Sequence, residues 1–205
     1  MKLTLSQPTD ATLTAFLKSA TGPLSYPEVG ATRNAAHIPG YDNDHNRICL
    51  GEGAEVFQHA CDALTRWKHF PTHWVKIGPG TPPIHEGQKV AMQARAFGLY
   101  WISAAQIVYT LQEPRRFGFA YGTLDAHVEC GEERFLIEWL PDNTVWYSLT
   151  AFSCPRRWFI RLGYPLARRL QKRFVHNSFA ALKNRVKSGH VEEDRDDRRG
   201  KRRFL

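Results

Sequence analysis

The chain has 205 residues and a formal net charge of +8, and 42% of its residues are hydrophobic. It is long enough to bury one core and too apolar to be disordered along its whole length. It contains no run of about 18 uncharged apolar residues, which excludes a transmembrane helix, and its N-terminus lacks the apolar core of a signal peptide. We therefore expect a cytoplasmic protein.

The cysteines and the positive charge set two further expectations. None of the four cysteines, Cys49, Cys61, Cys130 and Cys154, belongs to a C-x-x-C pair. Without a secretory signal they are predicted to be reduced core thiols. Residues 156–187 contain ten Lys and Arg and no Asp or Glu. Any electrostatic partner would therefore be met mainly by the C-terminal region.

The N-terminal third is predicted to hold two helices joined by loops. Residues 10–20 form a short helix with an apolar stripe, which Thr9 or Asp10 can cap. Loops rich in Pro and Gly lead to a short extended piece at 47–50. A second helix over 54–69 has one apolar face and ends before Pro71.

From Trp74 onward the apolar residues repeat with a period of 2, which predicts strands. We place six strands, at 74–77, 89–97, 102–111, 116–123, 132–140 and 145–153. Short turns join most of them, so the strands should form an antiparallel meander. Several strands are apolar on both faces, which indicates that each face of the sheet is covered or that the sheet curls around an interior.

The strand 116–123 alternates aromatic and small residues. Phe117, Phe119 and Tyr121 share one face, and Gly118 and Gly122 lie on the other. Glycine inside a strand often marks close approach of another group. We expect this bare face to make room either for a ligand or for a helix.

After Pro155 the helical period returns. An apolar stripe predicts a main helix over 166–187, with a short lead-in helix before Pro165. Residues 188–205 are charged and poor in apolar residues, so we expect a disordered tail behind a single domain at 1–187. The fold class is α+β, a curved antiparallel sheet of about six or seven strands gripped by a long C-terminal helix.

Two patterns resemble metal sites and fail. Residues 42–46 open like a calcium loop, D-x-D-x-N, but Arg47 stands where the loop requires Gly and Gly53 where it requires Glu. His69 and His73 are four residues apart, but Pro71 lies between them and interrupts a continuous helix. We expect neither a metal nor a cofactor.

One turn concentrates ionisable residues. His127 lies between carboxylates in the sequence, close to Glu129, Glu132 and Glu133. Nearby negative charge raises the pKa of a histidine and would suit it to act as a general base. The alternative is a polar hairpin loop at the rim of the sheet.

The basic residues admit several interpretations. Arg33, Arg47 and Arg95 could each meet a ligand carboxylate or a glutamate of the pocket, or could form surface or structural ion pairs. The C-terminal helix carries a basic cluster that could be a solvated face, a contact for nucleic acid or a contact for anionic lipid: Arg168, Arg169, Lys172 and Arg173.

The sequence resembles a known family along most of its length. The motifs that carry the resemblance are YPEVGATR at 26–33, PGYDNDHNRICLGEG at 39–53, WKHF at 67–70, RFGFAYGTLDAHVECGEERF at 116–135 and AFSCPRRWFIRLGYPLARRLQ at 151–171. They are similar to the bacterial and plant family known as domain of unknown function nineteen-ninety. The resemblance implies a START-like or Bet v 1-like helix-grip fold and no established activity. The family's motif residues that this chain keeps are Tyr26, Pro27, Gly30, Arg33, Gly122, Thr123, His127, Glu129, Gly131 and Glu132.

These observations predict a binding module that holds a small apolar or amphipathic ligand between the sheet and the C-terminal helix. The expected ligand-binding residues are Tyr26, Arg33, Arg95, Tyr121, Thr123, His127 and Glu129. One alternative is a hydrolase- or cyclase-type enzyme that uses His127 with Glu129 or Glu132. Another is a basic accessory protein that binds nucleic acid or an anionic membrane.

Overall fold

The computed structural model describes residues 1–71, 73–127, 129–155 and 164–201, and of residues 189–201 it describes the backbone alone. The described strands form one eight-stranded antiparallel sheet in the order β2-β8-β7-β6-β5-β4-β3, with β1 paired to β5. The strands are β1 Lys2–Thr4, β2 Asp42–Glu52, β3 Val75–Gly78, β4 Lys89–Ala96, β5 Leu99–Glu113, β6 Arg116–Thr123, β7 Glu129–Trp139 and β8 Thr144–Pro155. The helices are α1 Asp10–Ser19, α2 Gly53–Thr65 and α3 Tyr164–Lys201, and a short 3-10 turn spans Ala31–Asn34.

The α+β class and the helix-grip arrangement are confirmed, and all six predicted strands are present. Two strands were not fully predicted. The first is the short strand β1, and the second is β2, of which only residues 47–50 were predicted. The sequence of β2 is polar because it lies at the edge of the sheet, where its side chains alternate between exposed and half-buried positions as it pairs with β8.

Helices α2 and α3 cover the concave face of the sheet. Val56 and Leu64 of α2 and Leu182 and Val186 of α3 are buried against aromatic side chains of the central strands. The apolar stripes of both helices therefore face the core as their periods predict. Helix α2 is shorter than predicted, since it ends at Thr65 and Trp67 adopts a left-handed backbone with φ 57°.

The convex face is covered by α1 and by the segment 24–41. Leu13 and Phe16 of α1 pack on Ala91, Ile102 and Ala104. Both faces of the sheet are thus covered, which explains why several strands are apolar on both sides.

The small-residue face of β6 lies on this convex side. A Cβ at Gly122 would stand 2.1 Å from the Tyr26 hydroxyl and 2.9 Å from Leu24 Cδ2. The bare face therefore makes room for the 24–34 segment. The expectation that it accommodates a ligand or a helix is wrong, because the alternation along β6 turns its aromatic face, and not its glycines, toward the interior below α3.

One cysteine pair shows that the prediction of four reduced thiols is wrong. Cys130 and Cys154 form a disulfide, whereas Cys49 and Cys61 are free thiols. The two bonded residues are direct partners in the antiparallel ladder of β7 and β8, with Cα atoms 5.3 Å apart. This separation lies within the range that a disulfide spans.

The described backbone of α3 continues to Lys201, beyond the position where we predicted a tail to begin. Charged residues such as Glu, Lys and Arg favour helix without needing a packing partner. The division at residue 188 stays a prediction, and the predicted lead-in helix lies outside the described residues. No described helix is long and apolar enough to cross a membrane.

Candidate functional site

A cavity of about 430 Å³ lies between the N-terminal half of α3 and the concave face of the sheet. It occupies the end of the sheet where β2 begins and where β4 and β8 end. On the helix side it is bordered by Leu166, Ala167, Leu170, Gln171, Phe174 and Val175. Its volume falls within the range of small-molecule sites, about 300 to 1,000 Å³.

The cavity exists because the two halves of α3 pack against side chains of different size. The C-terminal half rests on the core, and Leu182 and Val186 lie in the cluster that α2 completes. Beneath the N-terminal half the sheet presents small residues, namely Ala94, Ala96, Gly131 and Ala151. Because these side chains are small, they do not fill the space between the sheet and the helix.

One side of the cavity is apolar. The strand order places β3, β4 and β5 together on this side. These strands and the segments next to them contribute Phe70, Trp74, Val75, Met92, Phe97 and Trp101, together with Ala94 and Ala96. This half of the wall suits an apolar body.

The opposite side, formed by β2, β7 and β8, is acidic. Asp44, Glu129 and Glu133 border the cavity here. The Tyr121 hydroxyl donates a hydrogen bond to Glu133 Oε2 at 2.5 Å. Burial, with a contribution from the neighbouring Glu129 and Asp44 charges, raises the pKa of Glu133 to about 7. Burial also raises the pKa of Glu129.

Polar contacts fasten α3 to this acidic edge. Arg168 donates to both Asp44 oxygens, at 2.6 and 2.8 Å, and also to Gln171. Gln171 Nε2 in turn donates to Glu129 Oε1 at 2.7 Å, and the Tyr164 hydroxyl donates to Asp42. Arg168 was expected to be available to a partner, but its bond to Asp44 holds it and raises its pKa.

His127 borders the cavity, yet its chemistry differs from the expectation. His127 Nδ1 lies 3.1 Å from the Glu129 backbone nitrogen and 3.2 Å from the Glu129 carbonyl oxygen, so it can accept a hydrogen bond from the first or donate one to the second, depending on the tautomer. Burial lowers the pKa of His127 to about 4. We expected nearby carboxylates to raise it, but burial dominates and exceeds the raising effect of the hydrogen bond with the Glu129 backbone, so the imidazole is neutral near pH 7.

Glu132 serves a different purpose from its neighbours. Its carboxylate accepts hydrogen bonds from the Tyr26 hydroxyl at 2.7 Å, from Gly30 N at 2.7 Å and from Thr32 N at 3.1 Å. The Thr32 hydroxyl donates a fourth. Glu132 thus holds the 26–34 segment on the sheet. Because its oxygens are occupied by these four donors, Glu132 is not available as an acid–base partner for His127.

The expected ligand-binding residues fall into two groups. Four border the cavity, namely Tyr121, Thr123, His127 and Glu129. Three lie elsewhere: Tyr26 bonds Glu132 on the convex side, the Arg33 guanidinium lies 4.2 Å from the Tyr109 ring, and that of Arg95 lies 5.7 Å from the Tyr100 ring. Arg47 stacks 3.9 Å from the Trp146 ring. The arginines that we expected to meet a ligand carboxylate are therefore engaged with aromatic rings.

Several cavity residues were absent from the expected binding set. Glu133 is directly opposite Tyr121 in the register of β6 and β7, so its position on the aromatic face could have been found by counting along the strand. Asp44 and Asn46 also border the cavity, but the only sequence pattern that includes them is the incomplete calcium-loop motif. Ser103 and Gln171 carry no local signal. Among the described residues, no group of three or more His, Cys, Asp and Glu is arranged to hold a metal ion.

Comparison with known proteins matches most of the chain to one family. A family model described as domain of unknown function (DUF1990) matches residues 25–181. A UPF0548 protein of Dictyostelium discoideum is 40% identical over 150 residues, covering 67% of this chain and 69% of that protein. A UPF0548 protein of Deinococcus radiodurans is 34% identical over 181 residues, covering 82% of this chain and 91% of that protein.

Among solved structures, a hypothetical protein of Helicobacter pylori superposes with a TM-score of 0.51 at 12% identity, covering 81% of this chain and 95% of that one. At this identity the likeness concerns the fold alone.

Proposed function

We propose that this chain, which belongs to the DUF1990 family, is a binding module that holds a small apolar or amphipathic ligand between its sheet and α3. The observation that carries the proposal is the cavity of about 430 Å³, whose wall is apolar on the β3–β5 side and polar on the β2–β7–β8 side. Pockets with mostly apolar walls and a few placed polar groups are typical of small-molecule sites.

A fluorescence titration with N-phenyl-1-naphthylamine, a neutral apolar probe, tests this proposal. Ala167 borders the cavity, whereas Ala180 lies on the exposed side of the same helix. Ala167→Trp should fill the space and weaken probe binding at least about tenfold, which corresponds to about 1.4 kcal/mol. Ala180→Trp is the matched control and should bind like the unmodified protein. Equal affinities in the two variants would place the probe outside the cavity and contradict the proposal.

Catalysis of the hydrolase or cyclase type has weaker support. A general base works best with a pKa near the working pH, whereas that of His127 is lowered to about 4. Its Nδ1 is already engaged by the Glu129 backbone, and Glu132 is held by four donors. Burial raises the pKa of Glu133, another residue at the cavity wall, to about 7.

A second proposed role is contact with an anionic lipid surface at the cavity mouth. Phe97 and Leu166 border the cavity and are 63% and 41% exposed. Arg169, Lys172 and Arg173 are exposed on α3, with the Arg173 guanidinium 4.8 Å from the Trp74 ring. Exposed apolar side chains beside basic ones favour lipid over nucleic acid, for which apolar contacts add little to phosphate binding.

Sedimentation with vesicles tests the lipid role. Phosphatidylcholine vesicles containing phosphatidylserine should retain the protein at low salt and release it as salt rises. Phe97→Ser should weaken retention, whereas Val29→Ser, which changes another exposed apolar residue (51% exposed), should not. Retention that is equal in both variants, or tighter binding to a DNA duplex than to vesicles, would contradict it.

We also propose a cytosolic setting, in which the free thiols Cys49 and Cys61 would persist and the Cys130–Cys154 bond would be reducible. Alkylation of the protein in freshly lysed cells under denaturing conditions should then label all four cysteines. Labelling of two only would indicate an oxidising compartment.

A further inference from the structure

The charged residues that border the cavity in the described part of the chain are all acidic. They are Asp44, Glu129, Glu132 and Glu133, and the one histidine among the described lining residues, His127, has a lowered pKa. Asp44 is paired with Arg168, and Glu132 is held by the 26–34 segment. The carboxylates that remain for a ligand are those of Glu129 and Glu133.

Both of these carboxylates are incompletely bonded. Tyr121 donates to Oε2 of Glu133, and no described residue donates a hydrogen bond to its Oε1. Gln171 donates to Oε1 of Glu129, and its Oε2 likewise has no donor in the described chain. A carboxylate in a water-poor site is stabilised by several donors, so each has capacity for one more.

A separate observation indicates that the cavity is made for a partner. The Ser103 side chain borders the cavity and is only 7% exposed. Its register partner Met92 borders the cavity as well, so both lie on the concave face. Within the described ranges nothing forms a hydrogen bond with the Ser103 hydroxyl, which leaves it free to contact a ligand in the cavity.

We propose that the cavity takes an amphiphile with a cationic, hydrogen-bond-donating head, such as a primary ammonium, which pairs with Glu133 and Glu129. This inference rests on the proposed binding function and adds the chemical class of the ligand. The apolar body lies along the wall formed by Trp74, Met92 and Trp101, where Ser103 supplies one polar contact.

The sign of the charge excludes the opposite class of ligand. An anionic head, as in a fatty acid, would be placed beside like charges in a medium where water screens them poorly, and such repulsion is strong. No Lys or Arg of the described chain borders the cavity to receive it, since Arg33, Arg47 and Arg95 lie against aromatic rings and Arg168 is paired with Asp44. A neutral head would leave the two glutamates without a counter-charge.

The pH dependence of binding follows from the same groups. The groups that act on Glu133 are Tyr121, Glu129 and Asp44, and burial raises its pKa to about 7. An ammonium favours the ionised carboxylate, so the affinity for an amine should rise as pH increases toward 7 and then level off. The affinity for an uncharged alcohol of the same length should change little over that range.

Displacement of N-phenyl-1-naphthylamine by three compounds of equal chain length tests the inference. The compounds are dodecylamine, dodecanol and dodecanoate, used below their micellar concentrations at pH 7.5. We expect dodecylamine to bind at least about tenfold more tightly than dodecanoate. Each affinity is expressed relative to that of dodecanol for the same variant, which removes general effects of a substitution on the cavity.

Three variants locate the source of the preference. Glu133→Gln and Glu129→Gln should each reduce the amine preference several-fold, and thermal unfolding checks that both fold. Glu86→Gln removes the same charge at an exposed site outside the cavity and should keep the preference. Two different glutamate variants keep the test decisive if one of them fails to fold.

The outcomes separate this inference from the proposed function. If the probe binds and dodecanoate competes as well as dodecylamine, the binding function stands and the cationic class is wrong. The same conclusion follows if the preference survives in both Glu133→Gln and Glu129→Gln. If neither the probe nor any of the three compounds binds, both proposals fall.

Discussion

Glu132 and Glu133 are consecutive residues of β7 that meet opposite environments. Glu132 is 2% exposed and accepts four hydrogen bonds from Tyr26, Gly30 and Thr32. Glu133 borders the cavity and accepts a single hydrogen bond, from Tyr121. The alternation of side chains along a strand alone separates them.

The difference shows how to distinguish a structural carboxylate from one that awaits a partner. A buried charge surrounded by donors is stabilised by the fold itself, and its bonds hold segments together. A buried charge with one donor and open space beside it is poorly stabilised, which is why the pKa of Glu133 rises to about 7. The convex face therefore carries the bonds that shape the fold, and the concave face carries the capacity for binding.

Glu132→Gln should have the largest effect on stability. Glutamine places an N–H₂ donor where the carboxylate now faces only donors, so at least one bond is lost and a repulsive contact is created. We expect the free energy of unfolding to fall by about 3 kcal/mol, measured by urea denaturation. The same substitution at Glu133 is the matched control, and an equal loss there would contradict the distinction between the two faces.

His69 provides a second test, since it is fully buried in the concave core without a partner in the described chain for either ring nitrogen. Burial lowers its pKa to about 3. Because the unfolded chain binds this proton more readily, stability is full above about pH 6.5 and falls as pH drops toward 3. The loss at pH 4.5 should be roughly 2–3 kcal/mol.

His69→Phe should flatten this acid limb, as followed by unfolding at a series of pH values. His127, whose pKa is lowered to about 4, contributes a decline of the same sign that remains in the variant. An acid limb that is identical with and without His69 would show that its ring is hydrated or bonded in solution.

Gly122→Ala tests whether the glycine face of β6 serves the convex contact. The added Cβ would meet the Tyr26 hydroxyl at 2.1 Å, and Tyr26 would have to move away from Glu132. We expect a loss of about 2 kcal/mol with little change in probe binding. The loss should shrink in a Tyr26→Phe background, where the clashing oxygen is gone. An unchanged loss in that background would assign the effect to the sheet itself.

Glu133→Gln should have the smallest effect on stability, and the effect should depend on pH. The pKa of Glu133 is raised above its unfolded value, so the folded state holds the proton more tightly. Its contribution is therefore full below about pH 4.5 and is lost as pH rises through 7. We expect Glu133→Gln to remove a decline of about 1–2 kcal/mol in the free energy of unfolding between pH 5 and 8.

Much of the fold can be predicted from the sequence, but only part of the site can. The period-2 pattern from Trp74 to Ser153 and the apolar stripe of α3 identified the sheet and the helix that closes it, because both are local patterns. The contact of Tyr26 with Glu132 joins residues 106 positions apart, and no local pattern shows it. Without that contact the glycine face of β6 could not be assigned to the convex side.

The acidic character of the site could not be predicted from the sequence for a similar reason, because it depends on which face of the sheet is concave. Arg95 and Ala94 are neighbours on β4, and only Ala94 borders the cavity. Their alternation is evident in the sequence, but which of the two faces is concave depends on where α2 and α3 pack. The expected arginine for a ligand carboxylate was therefore placed on the wrong face, and the acidic wall of Glu129 and Glu133 emerged only from the structure.

A crystal structure of the protein with dodecylamine would show whether the cavity binds an amine. We expect the alkyl chain to lie beneath α3 along β3–β5 and the amine nitrogen to lie about 3 Å from a carboxylate oxygen of Glu133. A cavity filled by the protein's own side chains, or an amine bound only on the outer surface, would contradict it.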